Sequence, residues 1–315
     1  MKKIITIIIF MLSLSYIFSY TGSSYRYGYS ARSFALSNAL VAGEYNLFQS
    51  FSNPASLNQC KGSNYGLSYF DISLDRSIQS FYFSQGLPGN AGISLAILRS
   101  GVDEFMGKDF FNNPTDNISA SDYYGLLSFG LKSFGMTLKL HYSNLHLNQE
   151  HVDNYTGNSI IVDLGWAANI SSNIRLGIKA ENLINPFLNW DIDTGDGLPT
   201  SYQETYPLII SIGSIYKIND IHQLMFQEDI SFFNRESESI NFDNNYSYLT
   251  RIGYEYSPSN NFDFRLGLEG KNNIKFGFGY HITLYNKLPL SLDYSLDLGS
   301  ENQGLSHLFT WGFNL

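Results

Sequence analysis

Cysteine occurs once in the 315 residues, at Cys60, so no internal disulfide can form and the residue reads as a small buried apolar side chain. Basic charge is scarce: 19 Lys and Arg stand against 28 Asp and Glu, a net charge of −9, and no basic patch is visible. Nucleic acid is thereby excluded as a partner, because a phosphate-binding surface needs clustered cations. Past residue 18 no stretch is apolar enough to cross a bilayer as a helix. The chain also lacks a Gly-x-Ser-x-Gly elbow, a phosphate loop and a zinc motif, so no enzyme and no cofactor is expected.

What is abundant is apolar and aromatic. The composition is 43% hydrophobic and 16% aromatic, with 23 Tyr, 24 Phe and 27 Gly against 8 Pro. With no long apolar run, those residues must be spread along the chain, and their types favour strands over long helices. The first residues, Met1-Lys2-Lys3, precede an almost uncharged run over 4–18 and a polar segment over 20–24. That is the layout of a secretory signal peptide, placed at 1–19.

From residue 63 onward, apolar and polar residues alternate with period two in segments closed by Gly, Asn, Asp, Ser or Pro. Over 273–283, Ile274, Phe276, Phe278, Tyr280 and Ile282 take one face, while Lys275, Gly277, Gly279 and His281 take the other. The pattern predicts about fourteen strands: 63–74, 76–85, 90–101, 121–132, 135–147, 157–169, 173–183, 206–218, 222–233, 245–257, 261–270, 273–283, 287–299 and 304–315. Connections at 74–76, 132–135, 169–173 and 257–261 are short, and those at 101–121, 147–157, 183–206 and 233–245 are long and rich in Asn, Asp and Ser. Short turns at one rim and long loops at the other predict an outer-membrane barrel.

A soluble sandwich also alternates. Three features favour lipid instead. The strands are long enough to cross a membrane at a tilt. Aromatic residues recur at strand ends, as in interfacial girdles. The last segment, with Phe309, Trp311, Phe313 and Leu315, is an aromatic strand of the kind that barrel-assembly machinery engages. The expected fold is therefore all-β: a transmembrane antiparallel up-and-down barrel of about 14 strands over 63–315, in the bacterial outer membrane and in contact with its lipid. Closure leaves no strand edge unpaired in the bilayer.

On this reading the greasy faces look outward, and the opposite faces line the lumen with Asp163, Arg175, Lys179, Glu181, Arg251, Glu255, Asp263, Arg265, Glu269, Lys275, Asp293 and Asp297. Their mixed signs suggest ion pairs filling a plugged interior, with a selective permeation path as the alternative. His141, His146 and His151 do not converge as metal ligands would. The stretch from Asp191 to Gly197 is an acidic loop out of register for calcium.

The segment 20–62 does not alternate. It holds Ala31-Arg32-Ser33-Phe34-Ala35-Leu36-Ser37-Asn38-Ala39-Leu40-Val41-Ala42-Gly43 and then Asn53-Pro54-Ala55-Ser56-Leu57. It is small-residue rich and is expected to be partly helical, with Asn53, Pro54 and Ala55 forming a structural turn. These two stretches resemble the opening of the PorV/PorQ and FadL-like outer-membrane families. The resemblance continues in Gly92-Ile93-Ser94-Leu95, Asp122-Tyr123-Tyr124, Asp163-Leu164-Gly165, Arg175-Leu176-Gly177, Glu181-Asn182-Leu183, Leu292-Asp293-Tyr294 and the closing strand from His307. It implies a fourteen-stranded barrel whose N-terminal segment folds inward as a plug or hatch. It also implies a function: a non-enzymatic barrel of the PorV/PorQ type, linked to type IX protein secretion or cargo handling, with secretion-system subunits and secreted cargo as partners. The alternative is a FadL-like transporter of hydrophobic small molecules such as fatty acids or hydrocarbons; the long polar loops slightly favour a protein-handling surface, while Phe110, Phe111, Leu188 and Trp190 keep the transporter reading open.

Overall fold

The computed structural model describes residues 21–72, 75–108, 111–149, 152–192, 200–233, 246–270, 273–284, 288–298 and 304–314. The expected signal peptide and Leu315 lie outside them. Within them run β1 (Ser63–Ile72), β2 (Arg76–Leu87), β3 (Ala91–Lys108), β4 (Pro114–Leu131), β5 (Phe134–Gln149), β6 (Val152–Asn169), β7 (Ile174–Ile184), β8 (Phe187–Ile192), β9 (Thr200–Thr205), β10 (Leu208–Lys217), β11 (His222–Phe232), β12 (Tyr246–Ser259), β13 (Phe262–Glu269), β14 (Asn273–Leu284), β15 (Leu288–Asp297) and β16 (Ser306–Asn314). All but β8 and β9 form a closed antiparallel barrel of 14 strands, shut where β1 pairs with β16 from Asn64↔Asn314 to Asp71↔His307.

The outward face carries the greasy set. Leu95, Ile97, Leu127, Leu140, Ile160, Ile178, Phe264 and Phe276 are all exposed. A strand rising ~3.3 Å per residue at ~40° tilt takes the outward run from Phe134 to Tyr142 across roughly 20 Å, close to the height of an outer-membrane apolar band. The protein is thus a membrane barrel of the outer-membrane type.

Three sequence expectations are corrected. The stretches 101–121 and 147–157 are not loops. β3 and β4 continue as a paired hairpin to Lys108↔Pro114, and β5 and β6 to Gln149↔Val152. Beyond the apolar band both faces of a hairpin meet water, so alternation lapses while backbone pairing goes on. The connection 183–206 contains the hairpin β8–β9, whose β8 pairs with upper β6 from Tyr155↔Ile192 to Asn158↔Asn189 in place of β7. Just before that change, at Asn182, φ is +61° and the β6–β7 register shifts, a bulge whose backbone N–H donates to Asp163 (2.9 Å), after which β7 pairs with β6 once more at Val162↔Ile184. Finally, the short connection at 74–76 belongs to the rim of the long hairpins, not to the rim of short turns.

Residues 21–62 run inside the barrel as α1 (Ser23–Tyr27), α2 (Ala31–Ala35), α3 (Gln49–Ser52) and a 3-10 turn, Pro54–Gln59. Ser30 and Ser33 form a reciprocal capping box at the start of α2, and the Asn53 side chain accepts from the Ala55 N–H at the start of the 3-10 turn. The wall makes room for this plug with glycine. Gly86, Gly92, Gly130, Gly135 and Gly165 are successive cross-strand partners over β2 to β6, and a Cβ on any of them would collide with the plug between Asn53 and Cys60. Across the lumen, Gly177, Gly213, Gly253, Gly267 and Gly277 lie in the same way against Ala35 to Ala42. The lumen-facing small residues of the alternation are therefore a seat for the plug.

Candidate functional site

The lumen divides into two kinds of wall. From β1 to β4 the inward side chains include Phe70, Ile72, Ile78, Tyr82, Leu98, Tyr124 and Leu126, all buried against Tyr25, Tyr29, Phe34, Phe48 and Phe51 of the plug. Tyr29 stacks on Phe51 at 4.7 Å and Phe48 meets Tyr82 at 5.0 Å. Here the expected split of greasy outside and ionised inside does not hold, because an aromatic plug face needs an apolar wall. Burial also pushes the Tyr29 hydroxyl up to about 12, so it stays neutral.

From β5 to β15 the inward wall carries the buried charges, interrupted where Ile215 and Met225 pack on Leu36, Ala39, Leu40 and Ala42 of the plug. Asp163, fully buried, lies 3.3 Å from Lys139 Nζ and 3.6 Å from Lys179 Nζ, and Lys179 is 3.5 Å from Glu181. Arg251 links Asp229 (2.7 Å) to Glu269 (3.1 Å), which also accepts from Lys275 (3.1 Å). Arg265 is held by Glu255 and Asp263 at 2.7 Å each and by Asp293. Two plug residues complete the pattern. Arg26 pairs with Asp229 (2.9 Å) and Glu181 (3.6 Å), and Arg32 donates twice to Glu255 at 3.0 Å. Charges buried this deep are tolerable only when paired and hydrogen-bonded, so each arginine ties the plug to the wall. Arg175 stands apart, buried near the short-turn rim and donating to Asn169 Oδ1 (3.1 Å), and Asp297 is buried at the opposite end.

Sequence reasoning named the twelve wall charges but missed Arg26, Arg32, Lys139 and Asp229. The two arginines sit in a segment without alternation, whereas Lys139 and Asp229 lie on strands it had found. Asn53, Pro54 and Ala55 form the expected turn and are also buried against the wall, with Asn53 Nδ2 donating to Trp166 O (3.0 Å), Ile178 O (3.3 Å) and Val41 O (2.7 Å). Phe309 and Trp311 face outward on β16, and Phe313 pairs with Tyr65 and Leu290.

Above the plug, toward the rim of the long hairpins, lies a cavity of about 520 Å³. Its sides are mostly apolar, formed by Ile72, Ile78, Val102, Ala120, Leu145 and Trp190 and interrupted by Arg76, Ser100, Ser121 and Asn144, and Tyr27 of α1 contributes from below. The polar floor satisfies itself. Asp122 accepts from Ser143 (2.7 Å), Ser24 (2.8 Å) and the His141 Nε2–H (3.1 Å), which leaves His141 Nδ1 to accept from the Tyr206 hydroxyl. Ser143 donates to the carboxylate and not to the imidazole. A mostly apolar concave chamber with a few oriented polar groups is the usual form of a small-molecule site. Thr21 donating to Glu204 (3.0 Å) and Ser24 donating to Asp122 hold the upper end of the plug beneath it.

Among the described residues no cluster has the make-up of a metal site. His141 faces inward and His146 the opposite way, while His151 and the acidic stretch from Asp193 lie outside the described residues. Leu188 is buried beside Ile161 and Tyr206, with Trp190 packed against that cluster. Phe111 is exposed at the tip of the β3–β4 hairpin, and Phe110 is outside the described residues.

No family model and no curated protein matches the chain. Solved structures do. The toluene transporter TodX of Pseudomonas putida superposes with a TM-score of 0.63 at 13% identity, covering 92% of this chain and 97% of that one. The toluene transporter TbuX of Ralstonia pickettii gives 0.57 at 14%, covering 91% and 97%. A Pseudomonas aeruginosa FadL homologue gives 0.58 at 10%, covering 90% and 97%. The chain therefore shares the fold of FadL-like outer-membrane channels over nearly its whole length, and these neighbours are channels or transporters and not enzymes.

Proposed function

We propose that this barrel takes up small apolar molecules at the cell surface, with the chamber above the plug as the site that first holds them. The observation that carries this reading is the chamber itself. Its sides are mostly apolar, with Ile72, Ile78, Val102, Leu145 and Trp190, and its floor hydrogen bonds are already made, so a hydrocarbon lying on those residues displaces no bonded partner of the floor. The fold likeness to two toluene transporters supports the same class of ligand. A plug tied down by Arg26 and Arg32 argues against a wide aqueous pore. The secretion role implied by the PorV/PorQ resemblance has no comparable observation behind it.

Trp190 on the chamber side supplies a readout. With Trp166 and Trp311 replaced by phenylalanine, toluene added to the purified barrel in detergent is expected to change Trp190 emission saturably, and Val102→Asp is expected to abolish the response. A linear, non-saturating change that is indifferent to Val102→Asp would refute the reading. Affinity purification from outer membranes that brought down secretion subunits and no hydrocarbon would restore the secretion role.

A further inference from the structure

Most strand glycines face the plug; Gly101, Gly157 and Gly279 meet other wall or hairpin residues, and Gly125 on β4 meets almost nothing. Its neighbours Tyr124 and Leu126 point inward and are buried, so Gly125 lies on the lipid side, where a Cβ would meet only the Leu140 Cβ, at 3.9 Å. Glycine weakens a strand and is not needed here for close packing. Its effect is a groove of about 640 Å³ on the outer wall, bordered by Ile97, Tyr123, Leu140, Tyr142 and Ile160.

The cross-strand register shows what lies around the groove. Phe81, Ile97, Gly125, Leu140 and Ile160 are successive partners over β2 to β6, an aliphatic and aromatic row dented at the glycine. The next outward row toward the long-hairpin rim is Gln79, Arg99, Tyr123, Tyr142, Asn158 and Asn189. Beyond it come Gly101, Ser121, Asn144 and Thr156. On each of these strands the outer face passes from apolar through amphipathic to polar within four residues, which marks the outer edge of the hydrocarbon band.

Arg99 stands at that edge. The other described cations of the strands face the lumen, as Lys139, Arg175, Lys179, Arg251, Arg265 and Lys275 do, or sit at strand ends, as Arg76, Lys108 and Lys217 do. Arg99 donates to Gln79 Oε1 (3.1 Å) and Ser121 Oγ (3.2 Å), both neutral, and forms no ion pair among the described residues. Its orientation is fixed while its charge meets no described carboxylate, in the same cross-strand row as Tyr123 and Tyr142 and one row above the groove.

We infer that this face holds one phosphorylated lipid of the outer leaflet, its phosphate on Arg99 with Tyr123 and Tyr142, and one acyl chain in the groove at Gly125. The charge selects an anionic headgroup, and the groove selects a lipid over a free anion. The site lies on the opposite side of the wall from the chamber and does not depend on what the chamber takes up.

The test is native mass spectrometry of the full mature barrel released from detergent after titration with dioleoylphosphatidylglycerol. The wild type is expected to retain one such lipid and not to retain dioleoylglycerol, which lacks the phosphate. Arg99→Gln and Gly125→Leu are each expected to lower retention about tenfold, the scale of one charge-assisted contact or one displaced chain. Phe278→Leu, elsewhere on the outer wall, is expected to leave retention unchanged. Gly125→Leu points into open space and Arg99→Gln keeps a donor, so both should still show the heat-modifiable mobility of a folded barrel. Wild-type retention in either variant, equal retention of dioleoylglycerol, or displacement of the lipid by inorganic phosphate would overturn the inference.

Discussion

The two sides of the lumen hold the same plug by different physics. On β1 to β4 the plug is packed, ring against ring, by Tyr25, Tyr29, Phe48 and Phe51 against Tyr82 and Tyr124. On β5 to β15 it is tied, through Arg26 and Arg32, into a chain of buried ion pairs, with a smaller apolar contact of Leu36, Leu40 and Ala42 on Ile215 and Met225. Packing is non-directional and tolerates a change of shape, whereas a buried ion pair holds one geometry and leaves a stranded charge when broken. The chamber adjoins the packed side, where Ile72 and Ile78 continue the apolar wall upward past the plug. The difference separates an apolar surface for ligand from an ionic anchor that keeps the plug in place.

The largest expected effect is on the anchor. Arg265→Met leaves Glu255, Asp263 and Asp293 without their shared cation and is expected to cost about 3–5 kcal/mol in urea unfolding of the detergent-solubilised barrel. Adding Asp293→Asn should return part of that loss. Phe51→Ala, on the packed side, is expected to cost about 3–4 kcal/mol, with Phe51→Leu recovering more than half. Equal recovery by polar and apolar second changes on both sides would erase the distinction drawn here.

A smaller loss is expected at the seat between the two. Gly165→Ala drives a methyl into the Asn53 side chain and should cost about 1–3 kcal/mol. Arg26→Met combined with Arg32→Met should free the plug and be read as stepwise conductance in planar bilayers, where the wild type stays closed. At the bottom of the scale, Lys217→Ala removes a half-exposed pair with Glu44 and should cost under about 1 kcal/mol.

These two regions were unequally legible in the sequence. β12 to β15 could be read almost residue by residue, because lipid demands apolar side chains on one face while the lumen there takes ions and glycine on the other. β1 to β4 gave weaker alternation, since Leu67 and Tyr69 face lipid while Phe70 and Ile72 face the plug and all four are apolar. On β11, Glu228 and Asp229 are adjacent and point to opposite faces, which blurs the signal that would have marked Asp229 as part of the anchor. The extensions of β3 to β6 were invisible because hairpins in water need no alternating faces. The chamber itself joins α1, β1 to β5 and β8, elements as far as 167 residues apart from Ser23 to Trp190, and no local pattern announces such a meeting. Arg32 was visible as part of a family-like stretch, but its partner Glu255 becomes evident only once the plug is inside the barrel.

Crystals of the barrel soaked in bromobenzene would test the central claim most directly, through the anomalous signal of bromine. A peak is expected in the chamber, between Ile78, Val102 and Trp190 and above a plug still paired through Arg26 and Arg32. Bromine found only among the ionic side chains of β10 to β15, or nowhere inside the barrel, would contradict it.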